Sequence, residues 1–464
     1  MDPTHETDQQ HGSERSRSVW TVLLVVSAIA LIAVVSFGSG IVAERYLIRG
    51  PWPGTEGFGG LDPNGDAATD AAFPRQAEVR QILEDEYFFL PASPEARATF
   101  VANLEQGAIE GMAIAAATPV ASLDDYRREL DYGAARGMTE ALGDDYTVFL
   151  EPLRGAPLRE ELAGEYEGIG IWVEHPEGEF TIVAPIPGSP AARADLRPGD
   201  VIVAADGQDL GELETDAAMS LIRGPRGSSV VLTILRPGVP ETFDVTVNRE
   251  AIEIPAVVYE RQADGKVAHI TVGIFGDNTT RELDAALKRA KDEGVAGVVL
   301  DLRGNGGGWV TSAQEMLGRF IPEDAGPALY QDLDLDDDDE LISEPIVGGG
   351  ETAFDVPLVV LIDGGTASAS EIVAGAIRDY ERGTLIGEPS FGKGLVQRVH
   401  DFEDGSSARV TFARWLTPDR HPIPEEGLTP EVAVANRPDL AADLQLDRAI
   451  DVALGTPVAV EPGD

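Results

Sequence analysis

The chain has 464 residues, long enough for two or three domains with real cores, and its 43% hydrophobic content excludes wholesale disorder. A formal charge of −46 argues against nucleic acid as a partner, since phosphate binding needs basic patches; it favours solubility and would attract cationic substrates, unless it is only a compositional habit of the organism. With no cysteine, disulfides, thiolate metal sites and a cysteine nucleophile are excluded.

Residues 1–17 are polar and read as a cytoplasmic tail. No charge occurs from Ser18 to Ala43, and Val19 to Phe37 is almost continuously apolar. A transmembrane helix is therefore expected over 18–43, crossing roughly 30 Å of hydrocarbon at about 1.5 Å per residue. The core is longer than a signal peptide's, and only Gly38-Ser39-Gly40 offers small residues for a cleavage site, which favours an uncleaved anchor. Arg15 and Arg17 before the span are matched by Arg45 and Arg49 after it, so orientation rests on the ease of leaving a short tail in the cytoplasm. Residues 44–74, rich in Gly, Pro and Asp, read as a linker.

Residues 75–159 carry helical patterning, with Val79, Ile82 and Leu83 on one helix and Phe100, Leu104, Ile109 and Met112 on a second. Pro119 and Gly143 are expected breaks. In the run from Gly143 to Pro152, Tyr146 and Phe149 read as packing residues. Over 160–250 the pattern changes to short strands at Gly170–Val173, Phe180–Val183, Val201–Ala204 and Val230–Ile234, with a helix over Thr215–Ile222. The loop Gly168-Ile169-Gly170-Ile171, the run Gly188-Ser189-Pro190-Ala191-Ala192 and the turn Arg197-Pro198-Gly199-Asp200 together resemble a PDZ domain, a β-sandwich-like module. That resemblance implies capture of a protein's C-terminal tail at a sheet edge, its carboxylate held by N–H groups of the 168–171 loop.

Residues 251–440 read as mixed α/β: a strand over His269–Phe275, a helix over Asn278–Asp292 and a strand over Val295–Leu302 that ends in Asp301-Leu302-Arg303-Gly304-Asn305-Gly306-Gly307-Gly308. This loop lacks the G-K-[ST] of a P-loop and the G-x-G-x-x-G spacing of a dinucleotide site. A helix over Ser312–Ile321 follows. The acidic run Asp332–Leu341 reads as a solvated linker, with cation binding as the rival reading; it lacks calcium-loop spacing.

The densest chemistry lies between Pro357 and Gln397. An apolar strand, Leu358–Ile362, leads through Gly364 and Gly365 into Thr366-Ala367-Ser368-Ala369-Ser370-Glu371 and an amphipathic helix. A serine at such a turn sits beside free helical N–H groups that favour negative charge on a nearby oxygen. Lys393, one of four lysines, lies between two glycines in a chain that otherwise chooses arginine. An amine can lose its proton where a guanidinium cannot, and burial makes a lysine a usable base. A strand over Arg409–Leu416 and a C-terminal helix over Leu440–Leu454 complete the chain, with 441–464 as its last segment.

The pattern T-A-S-A-S-E, with F-G-K-G placing Lys393 twenty-five residues after Ser368 and Gln397 four further on, resembles the carboxyl-terminal processing proteases. The runs Asp144–Pro152, Asp301–Gly308 and Gly427–Glu431 agree. The resemblance implies a crotonase-like α/β core with a Ser-Lys dyad: Ser368 as nucleophile, Ser370 as a decoy, Lys393 as base and Gln397 orienting it. It also implies oxyanion N–H groups from Gly308 and Ala369, protein substrates and an extracytoplasmic catalytic part on a single-pass membrane anchor. No cofactor is required. Gly304 and Gly306 stand where bulkier residues are common, which would leave that loop looser before substrate binds. Two alternatives stay open: a Ser-His-Asp hydrolase using His400, and a catalytically silent PDZ-type binding or chaperone module.

Overall fold

The computed structural model describes residues 73–456 except 175–178, 187, 212, 214, 334–340, 424–426, 438–439 and 441. The expected tail, the apolar run 18–43 and most of the linker lie outside these. The expected transmembrane helix is therefore corrected: among the described residues no helix is long and apolar enough to cross a membrane. The longest, Pro94–Ala115 with 22 residues, carries Glu95, Arg97, Glu105 and Glu110. The fold is mixed α/β, as expected, with an antiparallel domain between an N-terminal helical region and a larger C-terminal domain.

Three helices open it: α1 (Pro74–Glu86), α2 (Pro94–Ala115) and α3 (Leu123–Ala141). Ser93 and Ser122 cap the latter two by accepting from Ala96 and Asp125 N–H. Glycines set the α2–α3 crossing. A Cβ on Gly111 would lie 1.9 Å from the Gly133 carbonyl oxygen and one on Gly107 would lie 2.3 Å from that of Gly137, so the backbones touch. This turns the buried face of α2 to Leu104, Ala108 and Ala115 and leaves Ile109, expected inside, 43% exposed. After β1 (Val148–Leu150), α4 (Pro152–Ala163) leads to the next domain.

That domain comprises β2 (Glu165–Gly168), β3 (Ile171–Glu174), β4 (Phe180–Pro185), α5 (Pro190–Arg193), β5 (Val201–Ala205), β6 (Gln208–Asp209), α6 (Thr215–Ile222), β7 (Ser229–Leu235), β8 (Phe243–Asn248) and β9 (Glu250–Glu253). An antiparallel sheet in the order β3-β4-β5-β7-β8 buries Phe180, Ile182, Ile202, Leu232 and Ile234 against Ala218 and Ile222 of α6. β3 is an edge strand. Entry and exit pair with each other, β2 with β9, from Glu165↔Glu253 to Gly168↔Glu250.

The C-terminal domain follows as β10 (Val257–Gln262), β11 (Val267–Val272), α7 (Thr279–Glu293), β12 (Gly297–Asp301), α8 (Val310–Phe320), β13 (Pro327–Asp332), β14 (Ile342–Pro345), β15 (Leu358–Ile362), α9 (Ala369–Asp379), β16 (Thr384–Gly387), β17 (Leu395–Asp401), β18 (Ser407–Leu416), β19 (Val432–Ala433) and α10 (Leu444–Ala453). A six-stranded sheet runs β10-β11-β12-β15-β16-β19, parallel except for β10. Helices cover both faces, as parallel sheets require. Ile270, Leu300 and Val360 point toward α7, α8 and α9, while Val299, Val359 and Ile386 point toward Leu446 and Ala449 of α10. Arg303, at the end of β12, grips Asp301 and reaches Asp443 at 2.9 Å, fixing the start of α10.

A second sheet, β1-β18-β13-β14 with β17 on β18, lies between this core and the N-terminal helices: Trp415 packs into the core, Phe149, Ala408 and Val410 against α1–α3. The stretch expected as a linker thus has paired ends, since Asp332 closes β13 and Ile342 opens β14, its antiparallel neighbour. Residues 334–340 themselves lie outside the description.

Candidate active site

All five residues of β15 are buried, and the chain leaving it turns sharply into α9. Ser368, at the turn, has φ 57° and ψ −116°, a conformation L-residues avoid and one worth about 1–3 kcal/mol of strain. The surroundings hold it there. Thr366, fully buried, donates its hydroxyl to the Leu302 carbonyl at 2.9 Å. Asn305 O accepts from Ala367 N–H at 3.0 Å and from the Ser370 hydroxyl at 2.9 Å. Ser370 is thereby buried with its hydroxyl occupied, whereas Ser368 stays partly exposed.

The glycine loop presses on this elbow. Asn305 donates Nδ2 to the Val272 carbonyl and accepts from Gly307 N–H at 2.9 Å. A Cβ on Gly307 would stand 2.8 Å from Ser368 Cβ and 3.0 Å from Ala369 N, and one on Gly308 would stand 2.3 Å from the Phe275 oxygen. Only glycine fits either place, and φ is +104° and +140°. Among the described residues neither the Gly308 nor the Ala369 amide has a protein acceptor. In the loop expected to be loose, Gly304 N–H donates to Asp363 Oδ1 at 2.8 Å.

Lys393 follows β16 and lies on the same buried carboxylate as Ser368. Glu371, 0% exposed, accepts through Oε2 from Ser368 N–H at 2.8 Å and Lys393 N–H at 2.9 Å. Through Oε1 it accepts from the Ser390 hydroxyl at 2.6 Å and Gly392 N–H at 2.8 Å. The Lys393 ammonium sits 4.9 Å from the centre of the Tyr146 ring. Burial lowers its pKa to about 8, the Arg409 guanidinium adds to the shift, and Asp144 and Glu371 oppose it.

Gln397 lies on β17 just past a bulge, and its amide donates to Thr411 Oγ1 at 3.4 Å; among the described residues it makes no hydrogen bond to Lys393. His400 faces Glu86 of α1 at 3.3 Å. In the PDZ-type domain, Gly168 ends β2, Ile169 is buried, Gly170 has φ +77° and Ile171 begins β3. The Gly170 carbonyl accepts from Ile186 N–H and the Ser189 hydroxyl, which fixes the loop beside the free edge. Two residues escaped the sequence reading. Tyr146, expected as packing, underlies the lysine, and Glu371, visible only as the residue three after a helix-capping serine, bonds both segments.

Residues 266–434 match peptidase family S41 and residues 181–236 match the PDZ domain, a span that starts beyond the 168–171 loop. Over 315 residues the chain is 36% identical to carboxy-terminal processing protease CtpA of Bacillus subtilis, covering 68% of this chain and 66% of that protein. Over 340 residues it is 34% identical to the carboxyl-terminal-processing protease of Synechocystis, covering 71% and 78%. A solved photosystem II D1 C-terminal processing protease is 29% identical with a TM-score of 0.45, covering 79% of this chain and 93% of that one. The spacing of its serine and lysine motifs, its PDZ match and these identities agree, and the chain belongs to the carboxy-terminal processing proteases, PDZ-bearing serine peptidases of family S41.

Proposed function

We propose that the protein is a serine endopeptidase working through a Ser368-Lys393 dyad. Neutral Lys393 takes the proton of the Ser368 hydroxyl as its oxygen attacks the scissile carbonyl, then returns that proton to the leaving amine; water hydrolyses the acyl-enzyme by the same route. The amides of Gly308 and Ala369 receive the oxyanion, typically about 3 kcal/mol each. One observation carries the reading: the strained serine and a lysine with its pKa lowered to about 8 are bonded to the same buried carboxylate. Gln397 would orient the ammonium after releasing its long bond to Thr411.

The PDZ domain recruits substrate. A protein's C-terminal tail adds to the outer edge of β3, the first strand of its sheet, its carboxylate meeting the Gly168–Ile171 loop. We extend the proposal to an extracytoplasmic catalytic part, which rests on family membership and is tested by protease accessibility in intact cells.

Full-length protein is incubated with unfolded β-casein, the fragments are sequenced, and Ser368→Ala and Lys393→Ala are run beside it. Both variants should leave the casein intact. Equal fragmentation by wild type and Ser368→Ala would reduce the chain to a binding module, and an active Lys393→Ala would move the base elsewhere, His400 first.

A further inference from the structure

Glu371 is fully buried, and among the described residues no ion pair reaches it. A buried carboxylate is tolerated without a cation only if donors saturate it. Four do, two on each oxygen, and they come from two separate segments: Ser368 on the nucleophile elbow, and Ser390, Gly392 and Lys393 on the loop that carries the amine. The Ser390 hydroxyl in turn accepts from Leu428 N–H at 2.7 Å, and Ser390 N–H donates to the Leu428 carbonyl, so the clamp extends to the run that closes the domain.

The geometry points to Glu371 as the positioning residue of this site: its carboxylate bolts the base loop onto the elbow and sets the reach between the Ser368 hydroxyl and the Lys393 amine without touching substrate. The inference rests on the Ser-Lys reading above. Its charge has a second effect. The groups facing Lys393 are Asp144 and Tyr146 ahead of β1, Arg409 on β18 and Glu371 on α9, and of these Glu371 and Asp144 favour the protonated amine.

Glu371→Gln in the full chain keeps the shape, turns one acceptor into a donor aimed at donors, and removes the charge. With labelled β-casein as substrate, kcat should fall about 100-fold with KM within about threefold, the cost of roughly 1 Å of misplacement. The acid limb of the rate profile should move to lower pH, because the amine loses a negative neighbour. Amide exchange at Gly392 and Lys393 should quicken about tenfold or more while the β15 amides stay unchanged. Ser390→Ala, which removes one donor and keeps the carboxylate, should lower kcat about fivefold, quicken exchange at Gly392 and leave the limb in place; it carries the test if Glu371→Gln fails to fold. Wild-type kcat with an unmoved limb in folded Glu371→Gln, or unchanged exchange at Gly392 and Lys393 in whichever variant folds, overturns the clamp. Ser368→Ala separates the two ideas: if it is inactive while Glu371→Gln is fully active, only the clamp fails, and if it is active, the Ser-Lys reading fails.

Discussion

Ser368 and Lys393 donate their backbone N–H groups to one oxygen, Glu371 Oε2, at 2.8 and 2.9 Å. Twenty-five positions apart in sequence, they are neighbours through a single atom. The two segments are thus tied to each other within the protein, the arrangement that the proposed Ser-Lys mechanism calls for.

The pH dependence follows from the lysine. Under the proposed Ser-Lys mechanism its neutral form is the active one, so kcat/KM should rise with pH and level off above about 8. Arg409→Met removes a positive neighbour, which raises the lysine's pKa and should move the rise to higher pH, opposite to the shift expected for Glu371→Gln. Initial rates on labelled casein between about pH 6 and about pH 10 check both; a rise centred near the ordinary lysine value would mean that burial is not acting.

Stability should show the same group with a defined sign. Lys393 has its folded pKa lowered to about 8 from 10.5, so between those values the unfolded chain binds the extra proton and stability climbs with pH. Below about 8 the buried charge is a standing cost, and above about 10.5 it is gone. Lys393→Met should therefore stabilise the protein at neutral pH by about 1–3 kcal/mol, with the gain shrinking toward zero in strong alkali. Urea midpoints of the two proteins at several pH values measure it.

The two serines of the motif should separate cleanly. Ser368→Ala should lower kcat by about 1000-fold or more. Ser370→Ala loses only a buried bond to Asn305, costing about 1 kcal/mol in stability and leaving kcat within about tenfold. The reverse ranking would assign the nucleophile to Ser370.

Neighbouring glycines should differ as sharply. Gly306 has open space where a Cβ would go, whereas Gly307 would drive one to 2.8 Å from Ser368 Cβ. Gly306→Ala should keep kcat within about threefold and Gly307→Ala should lower it about 100-fold. Peptide hydrolysis and thermal melts of both proteins decide whether the loop acts on the elbow.

What could be read in advance had local causes. Ser368 and Lys393 announce themselves through a strand-to-helix turn and a lysine between glycines, and the PDZ-type strands through alternation. Glu371 was invisible as a shared acceptor because three of its four donors lie 19 to 22 positions downstream and meet it only after β16 has crossed back. Tyr146 was hidden similarly, since its cation partner comes from the far end of the fold. The buried face of α2 was misread because backbone contact between glycines replaces the apolar stripe that periodicity detects. β17 escaped notice because its residues are half-exposed and include Arg398 and Asp401.

The pairing of β2 with β9 places the PDZ-type domain's two covalent connections side by side, with Glu165 opposite Glu253. A module inserted through one narrow doorway can be removed, lengthened or replaced by another with its ends rejoined in a short turn, leaving the peptidase sheet unbroken. Under the proposed function, substrate choice and bond cleavage are in that sense separately heritable parts of one chain.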